Sequence, residues 1–351
     1  MAGFAFDDRL TAVFLSLVRS GLWERPLSGD ELSLVQTLQE GEWECIWKMA
    51  VRQTVTGLLA AALEHLPDTV ELPRNVEYAA YAGIDRLAGE HHRQVQAVEE
   101  LSAFFRGQGL QPLYMKGLEA ARLYPRPQLR ELGDIDVFFP ENAFEKALEA
   151  VRGHLADTLT PAPDGSMHFR FRGLDVDMHH NYYDLPSSVP DLPDPGTPEA
   201  QLLLLNVHIL KHVCGAGVGL RQLCDMARAY AVLDYSEPHY RRCLESARIL
   251  HWSRLLSSFL REHLGAADAP LFDAPVLSPV PLEKIVKKGG NFGHYSASRQ
   301  VALGWSPFFR KLHTLGHVLR AIPFSFRYAP GESIYLLKSL ILGQLDVFSK
   351  G

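Results

Sequence analysis

The chain has 351 residues, long enough for two or three sub-domains, and its 47% hydrophobic and 22% charged content is ordinary for a globular protein. A net charge of −6 and a pI near 6.2 argue against broad nucleic-acid binding, though they leave room for a local basic patch. Four scattered cysteines (Cys45, Cys214, Cys224, Cys243) form no CxxC pair, which suits reduced thiols better than a disulfide framework or a zinc site.

The opening MAGFAFDDRL lacks a basic stretch followed by an apolar one, so no secretory signal is expected there. The most apolar runs, 201–210 and 335–342, are too short to span a bilayer. The reading is a cytoplasmic protein with no membrane association.

Residues up to about 107 carry apolar positions at three- and four-residue spacing and predict helices over 8–22, 43–66 and 91–105, with Ser28 and Asp30 as N-caps. Gly107 and Gly109 punctuate the chain. Leu113-Tyr114-Met115 then predicts a short strand, Lys116-Gly117 leads into a helix over 118–124, and a second strand is expected over 135–139, stopped by Pro140. A helix follows over 141–153.

Strict alternation over 167–171 and 174–178, joined by Arg172-Gly173, predicts a hairpin. Its register sets Phe171 opposite Leu174, Phe169 opposite Val176 and Met167 opposite Met178 on one apolar face. The other face carries Arg170 opposite Asp175 and His168 opposite Asp177. Five prolines between 186 and 198 make an extended linker. Helices are expected over 199–213, 220–233 and 240–264. The chain thus divides into an N-terminal helical region (1–107), an α/β core with the proline-rich linker (108–198) and a C-terminal helical region (199–351). The fold class is α+β, a small mixed sheet with helical flanks.

The chemistry centres on Gly133-Asp134-Ile135-Asp136-Val137. Residues two apart in a strand share a face, so Asp134 and Asp136 project together while Ile135 and Val137 enter the core. Two such carboxylates repel unless a cation lies between them, and Mg²⁺ accepts oxygen-rich carboxylate pairs. Asp175 and Asp177 share a face of the hairpin, so a third carboxylate can reach the same metal. The plainer reading is a solvated hairpin with Arg170 and His168 paired to the acids across the strands. That reading accounts well for Asp175 and leaves Asp177 as the ligand.

Three further features stay open between functional and structural readings. Arg130 either contacts phosphate or pairs with Glu131 or the acidic strand end. His208, Lys211 and His212 form one polar stripe on an otherwise apolar helix and either line a nucleotide cleft or are satisfied core residues. The glycine-rich, basic 287–294 stretch suits a loop over anions, though it lacks P-loop spacing.

In order, Tyr114-Met115-Lys116-Gly117, a helix ending Leu123-Tyr124-Pro125, Leu129-Arg130-Glu131-Leu132-Gly133-Asp134-Ile135-Asp136 and Asp177-Met178-His179 resemble the uncharacterised nucleotidyltransferase family found in many bacteria. The likeness extends to Trp43-Glu44, His208 to His212 and Gly219 to Asp225. It implies a polymerase-β-like core in which Asp134, Asp136 and Asp177 are catalytic and hold Mg²⁺ or Mn²⁺. Nucleotide contacts are expected from Lys116, Gly117, Arg130, His208, Lys211 and His212. The implied reaction moves a nucleoside monophosphate from an NTP to an acceptor (a small molecule, a sugar derivative or a protein), releasing pyrophosphate. The alternative is a catalytically inactive nucleotide-binding protein. One departure favours it: the superfamily usually has Gly-Ser where the helix begins, and this chain has Gly117-Leu118.

Overall fold

The computed structural model describes residues 9–155, 158–162, 165–185, 189–214, 217–289 and 322–330. Two compact units share the chain: one contains Ala12–Val51 and Val55–Tyr183, the other the described residues up to Thr11, Arg52–Thr54 and the described residues from Asp184 onward.

The first unit opens with α1 (Arg9–Trp23), α2 (Gly29–Gln36), α3 (Glu40–Gln53), α4 (Thr56–Leu63) and the 34-residue α5 (Arg74–Gly107). Ser28 caps α2 in a full capping box with Glu31, as its position predicts. Two differences from the sequence reading have local causes. The helix expected over 43–66 is broken because Thr54 takes a positive φ of 54°, and α4 restarts at Thr56, where the Glu131 carboxylate accepts from the Thr56 N–H (2.8 Å) and hydroxyl (2.7 Å). The helix expected over 91–105 starts much earlier, directly after Pro73, which has no N–H to satisfy.

A five-stranded sheet follows, ordered β1 (Leu113–Met115), β2 (Ile135–Phe138), β5 (Leu174–His179), β4 (Met167–Phe171), β3 (Thr160–Pro161). Among the described strands, only β2 and β5 run parallel. The hairpin has the predicted register at all five pairs, and Arg172 (φ 53°) and Gly173 (φ 79°) form its turn in the left-handed backbone that suits a tight hairpin. The apolar face holds: Phe169, Val176 and Met178 are buried together with Ile135 and Val137 from β2. Leu101 and Phe105 of α5 and Phe144, Leu148 and Val151 of α7 (Glu141–His154) close this core, with the Phe105 and Phe139 rings edge to face at 4.8 Å.

Between β1 and β2 the helix expected over 118–124 is a single turn and a half, α6 (Gly117–Ala121), followed by the 3₁₀ turn Pro127–Leu129. That turn is fixed from below by Gly57 of α4. A Cβ at Gly57 would lie 1.9 Å from the Leu129 carbonyl oxygen, so only glycine permits this approach.

The second unit contains α8 (Pro198–Cys214), α9 (Leu220–Val232), α10 (Glu237–Ser246), α11 (Leu250–Leu264) and α12 (Val280–Gly289). The helix expected over 240–264 is two helices, split where Arg248 adopts φ 57°. Of the predicted 287–294 loop, 287–289 end α12 and the remainder lies outside the described residues. No helix among the described residues is long and apolar enough to cross a membrane.

Candidate active site

The acids meet through strand pairing. Asp136 is the parallel partner of Asp177 in the β2–β5 ladder, so two carboxylates from distant parts of the sequence share one side of the sheet. Ligand atoms of Asp136, Asp177 and His179 all lie within 4.8 Å of one another. Asp134 sits just before β2, on the rim. With Asp177, Asp175, His168 and Arg170 it lines an open cleft of about 850 Å³.

The carboxylates are not electrostatically equivalent. The Asp136 side chain is 9% exposed, and burial alone opposes its charge; the nearby Lys116 and His179 overcome this and hold its pKa at about 2. Lys116 Nζ is 3.0 Å from Asp136 Oδ1, and His179 Nε2 is 2.9 Å from the same oxygen. Asp134 moves the other way, to about 6, first from desolvation and then from the charges of Asp136 and Asp177, with Lys116 partly offsetting them. Its residue surface still meets solvent, which screens part of that repulsion. Asp175, by contrast, is peripheral: exposed, and 3.3 Å from Arg170 Nε.

Lys116 itself has φ 49° and ψ −128°, outside the ordinary regions for a side-chain-bearing residue, and it is the residue before α6. The neighbouring Gly117 packs its Cα side against the Asp134 carbonyl, where an added Cβ would stand 3.4 Å away. Arg130 is buried, and its guanidinium donates to the Glu131 carbonyl at 3.1 Å. His208, Lys211 and His212 belong to the second unit, where His208 and His212 share an Nε2–Nε2 contact of 3.1 Å and Lys211 pairs with Asp184 at 2.9 Å.

Two contacts went unread in the sequence. His179 lies two residues beyond Asp177 on the same strand, so period two already puts it on the acidic face; its partner Asp136 is visible only once β2 and β5 are paired. The Lys116–Asp136 pair has no sequence signal, since it depends on β1–β2 register, in which Met115 is the partner of Asp136.

The sequence model of a family described as "Uncharacterised nucleotidyltransferase" matches residues 39–262, well over half of the chain and inclusive of every residue named above from Lys116 to His212. The chain belongs to this uncharacterised nucleotidyltransferase family. No curated protein and no solved structure matches it. Membership of the nucleotidyltransferase family gives the general class of reaction, and the acidic cluster gives this member a possible metal site.

Proposed function

We propose that the protein is a metal-dependent nucleotidyltransferase that moves a nucleoside monophosphate from an NTP to an acceptor and releases pyrophosphate. The observation that carries this reading is the lateral pairing of Asp136 with Asp177, the latter lining one open cleft together with Asp134. The donor set fits a hard divalent cation such as Mg²⁺ or Mn²⁺: carboxylate oxygens dominate it, and burial together with the charges of Asp136 and Asp177 raises the nearby Asp134 carboxyl in spite of Lys116. When bound, such a cation neutralises charge on the transferring phosphoryl group and on the departing pyrophosphate.

The chain's own residues do the remaining work. Asp134, Asp136 and Asp177 hold the cation site, and Asp177, from the strand facing the open cleft, takes the acceptor proton. The acceptor oxygen then forms its bond to the α-phosphorus as the α–β bridging bond breaks and pyrophosphate leaves. Lys116, Gly117 and Arg130 are the candidate triphosphate contacts from this unit, and the core of the reading is the 108–198 segment.

A second reading, nucleotide binding without transfer, has one feature behind it. Leu118 stands where the superfamily usually supplies a serine hydroxyl. The experiment that decides incubates the full chain with each NTP, labelled at the α-phosphate, and Mn²⁺, with a cell extract as acceptor source. Label transfer with pyrophosphate release, abolished in Asp136→Asn, is expected. NTP binding with no pyrophosphate from any of the four nucleotides establishes the second reading instead.

A further inference from the structure

Two imidazoles grip the acidic cluster, and they do so through different ring atoms. His179, at the end of β5, meets Asp136 Oδ1 through Nε2 at 2.9 Å. His168 is the cross-strand partner of Asp177 in the β4–β5 ladder and meets Asp177 Oδ1 through Nδ1. Lys116 adds a second donor on the Oδ1 that His179 already reaches. Each of the two acids is thus tied through one oxygen, by side chains anchored on rigid neighbouring elements.

The tie matters because the carboxylate torsion of aspartate is broad and roughly two-fold, so an unheld carboxylate does not present a fixed oxygen. A hydrogen bond on Oδ1 sets the plane of the group and the direction of Oδ2. Hydrogen-bond partners of metal-binding carboxylates act in this way on affinity and geometry. On the metal-dependent reading given above, we propose that His179 and His168 are positioning residues. Each sets the plane of one carboxylate, Asp136 and Asp177 respectively, so that the other oxygen of each faces a shared divalent cation.

Two rival uses of the same side chains exist. His179 lies close enough to both acids to be a ligand itself. His168, 39% exposed, is also what an ordinary surface cross-strand pair looks like. The ring atoms separate these uses. A glutamine amide nitrogen approximates the reach of Nε2, and an asparagine amide nitrogen that of Nδ1. The two positions therefore call for opposite replacements: His179→Gln and His168→Asn keep a donor in place, whereas His179→Asn and His168→Gln misplace it.

The test is Mn²⁺ titration of the full chain by paramagnetic resonance, for wild type and these four variants, with melting curves to show that each is folded. The misplaced-donor variants should bind Mn²⁺ about 10–100-fold more weakly than wild type, and each placed-donor variant should recover most of that loss. Equal affinity in the two variants at a position overturns the assignment there. If both are as tight as wild type, the contact is only a surface pair; if both are equally weak, the imidazole is a ligand. A wild-type chain that binds no Mn²⁺ overturns the metal-dependent reading itself, and the positioning role with it.

Discussion

Lys116 Nζ lies 3.0 Å from Asp136 Oδ1, in surroundings that leave the two side chains 13% and 9% exposed. The lysine expected to meet phosphate is also the cation that keeps the most buried acid of the cluster ionised. Its effect on stability has a definite sign. The Asp136 pKa is depressed to about 2 in the folded protein, so its contribution is present above the ordinary carboxylate pKa and is lost as pH falls through the folded value.

Lys116→Ala should therefore destabilise the protein at pH 7, by on the order of 2 kcal/mol. The deficit should shrink as pH falls toward about 3.5, because the folded variant, without the lysine, takes up a proton on buried Asp136 that folded wild type binds only near pH 2. Urea unfolding of both proteins at pH 7 and pH 3.5 checks this; an equal deficit at the two values would contradict it.

Asp134 calls for the opposite forecast. Its pKa is raised to about 6, so the folded state loses stability as pH rises from the ordinary carboxylate value through about 6. In buffer with chelator, Asp134→Asn should raise the melting temperature at pH 8 and leave it nearly unchanged at pH 4. Asp136→Asn should not share the gain. Relief of carboxylate repulsion alone would suggest that it does, but Asp136 is the partner of Lys116 and His179, and its loss removes the charge that both side chains meet.

The acids of the hairpin should separate cleanly. Asp177→Asn is expected to weaken Mn²⁺ binding by about tenfold or more, because Mg²⁺-type sites depend on anionic oxygen ligands. Asp175→Asn should change it little, since Asp175 is exposed and engaged with Arg170. Titration of the two variants side by side is the measurement, and equal losses would place the cation elsewhere on the sheet.

Glu131 offers a test away from the cluster. Its carboxylate takes both the backbone N–H and the hydroxyl of Thr56 at the start of α4, a helix buried along its whole length. Glu131→Ala leaves that N–H without its acceptor and should cost about 1–3 kcal/mol in urea unfolding. A change within experimental error would mean that the amide finds another partner.

Much of the sheet was legible because its signals are local. The hairpin from Met167 to His179 alternates strictly and carries its own Arg172-Gly173 turn, so its register followed from pattern alone. The same period puts Asp175 and Asp177 on one face, and Arg170 opposite Asp175 in that register marked Asp175 as the peripheral acid. The helix breaks at Thr54 and Arg248 were not legible, because both put a positive φ on a residue that rarely adopts one. Strand β3, only Thr160–Pro161, is too short for any periodicity. The ties from Lys116 and His179 to Asp136 arise from pairing between strands distant in sequence, which no local window contains.

That parallel pairing also bears on how the protein reaches its working form. Strand β5 can join β2 only after all of the chain from Phe138 to Leu174 has been made and closed into a loop, a non-local step with an entropic cost. During synthesis, Asp134 and Asp136 emerge well before Asp177 and His179. Until that pairing forms, the β1–β2 segment carries Asp134, Asp136 and Lys116 without Asp177 and His179, which lie on β5. Pairing of β5 with β2 brings Asp177 and His179 to Asp136 in one event, so a chain that has not finished folding cannot assemble the cluster.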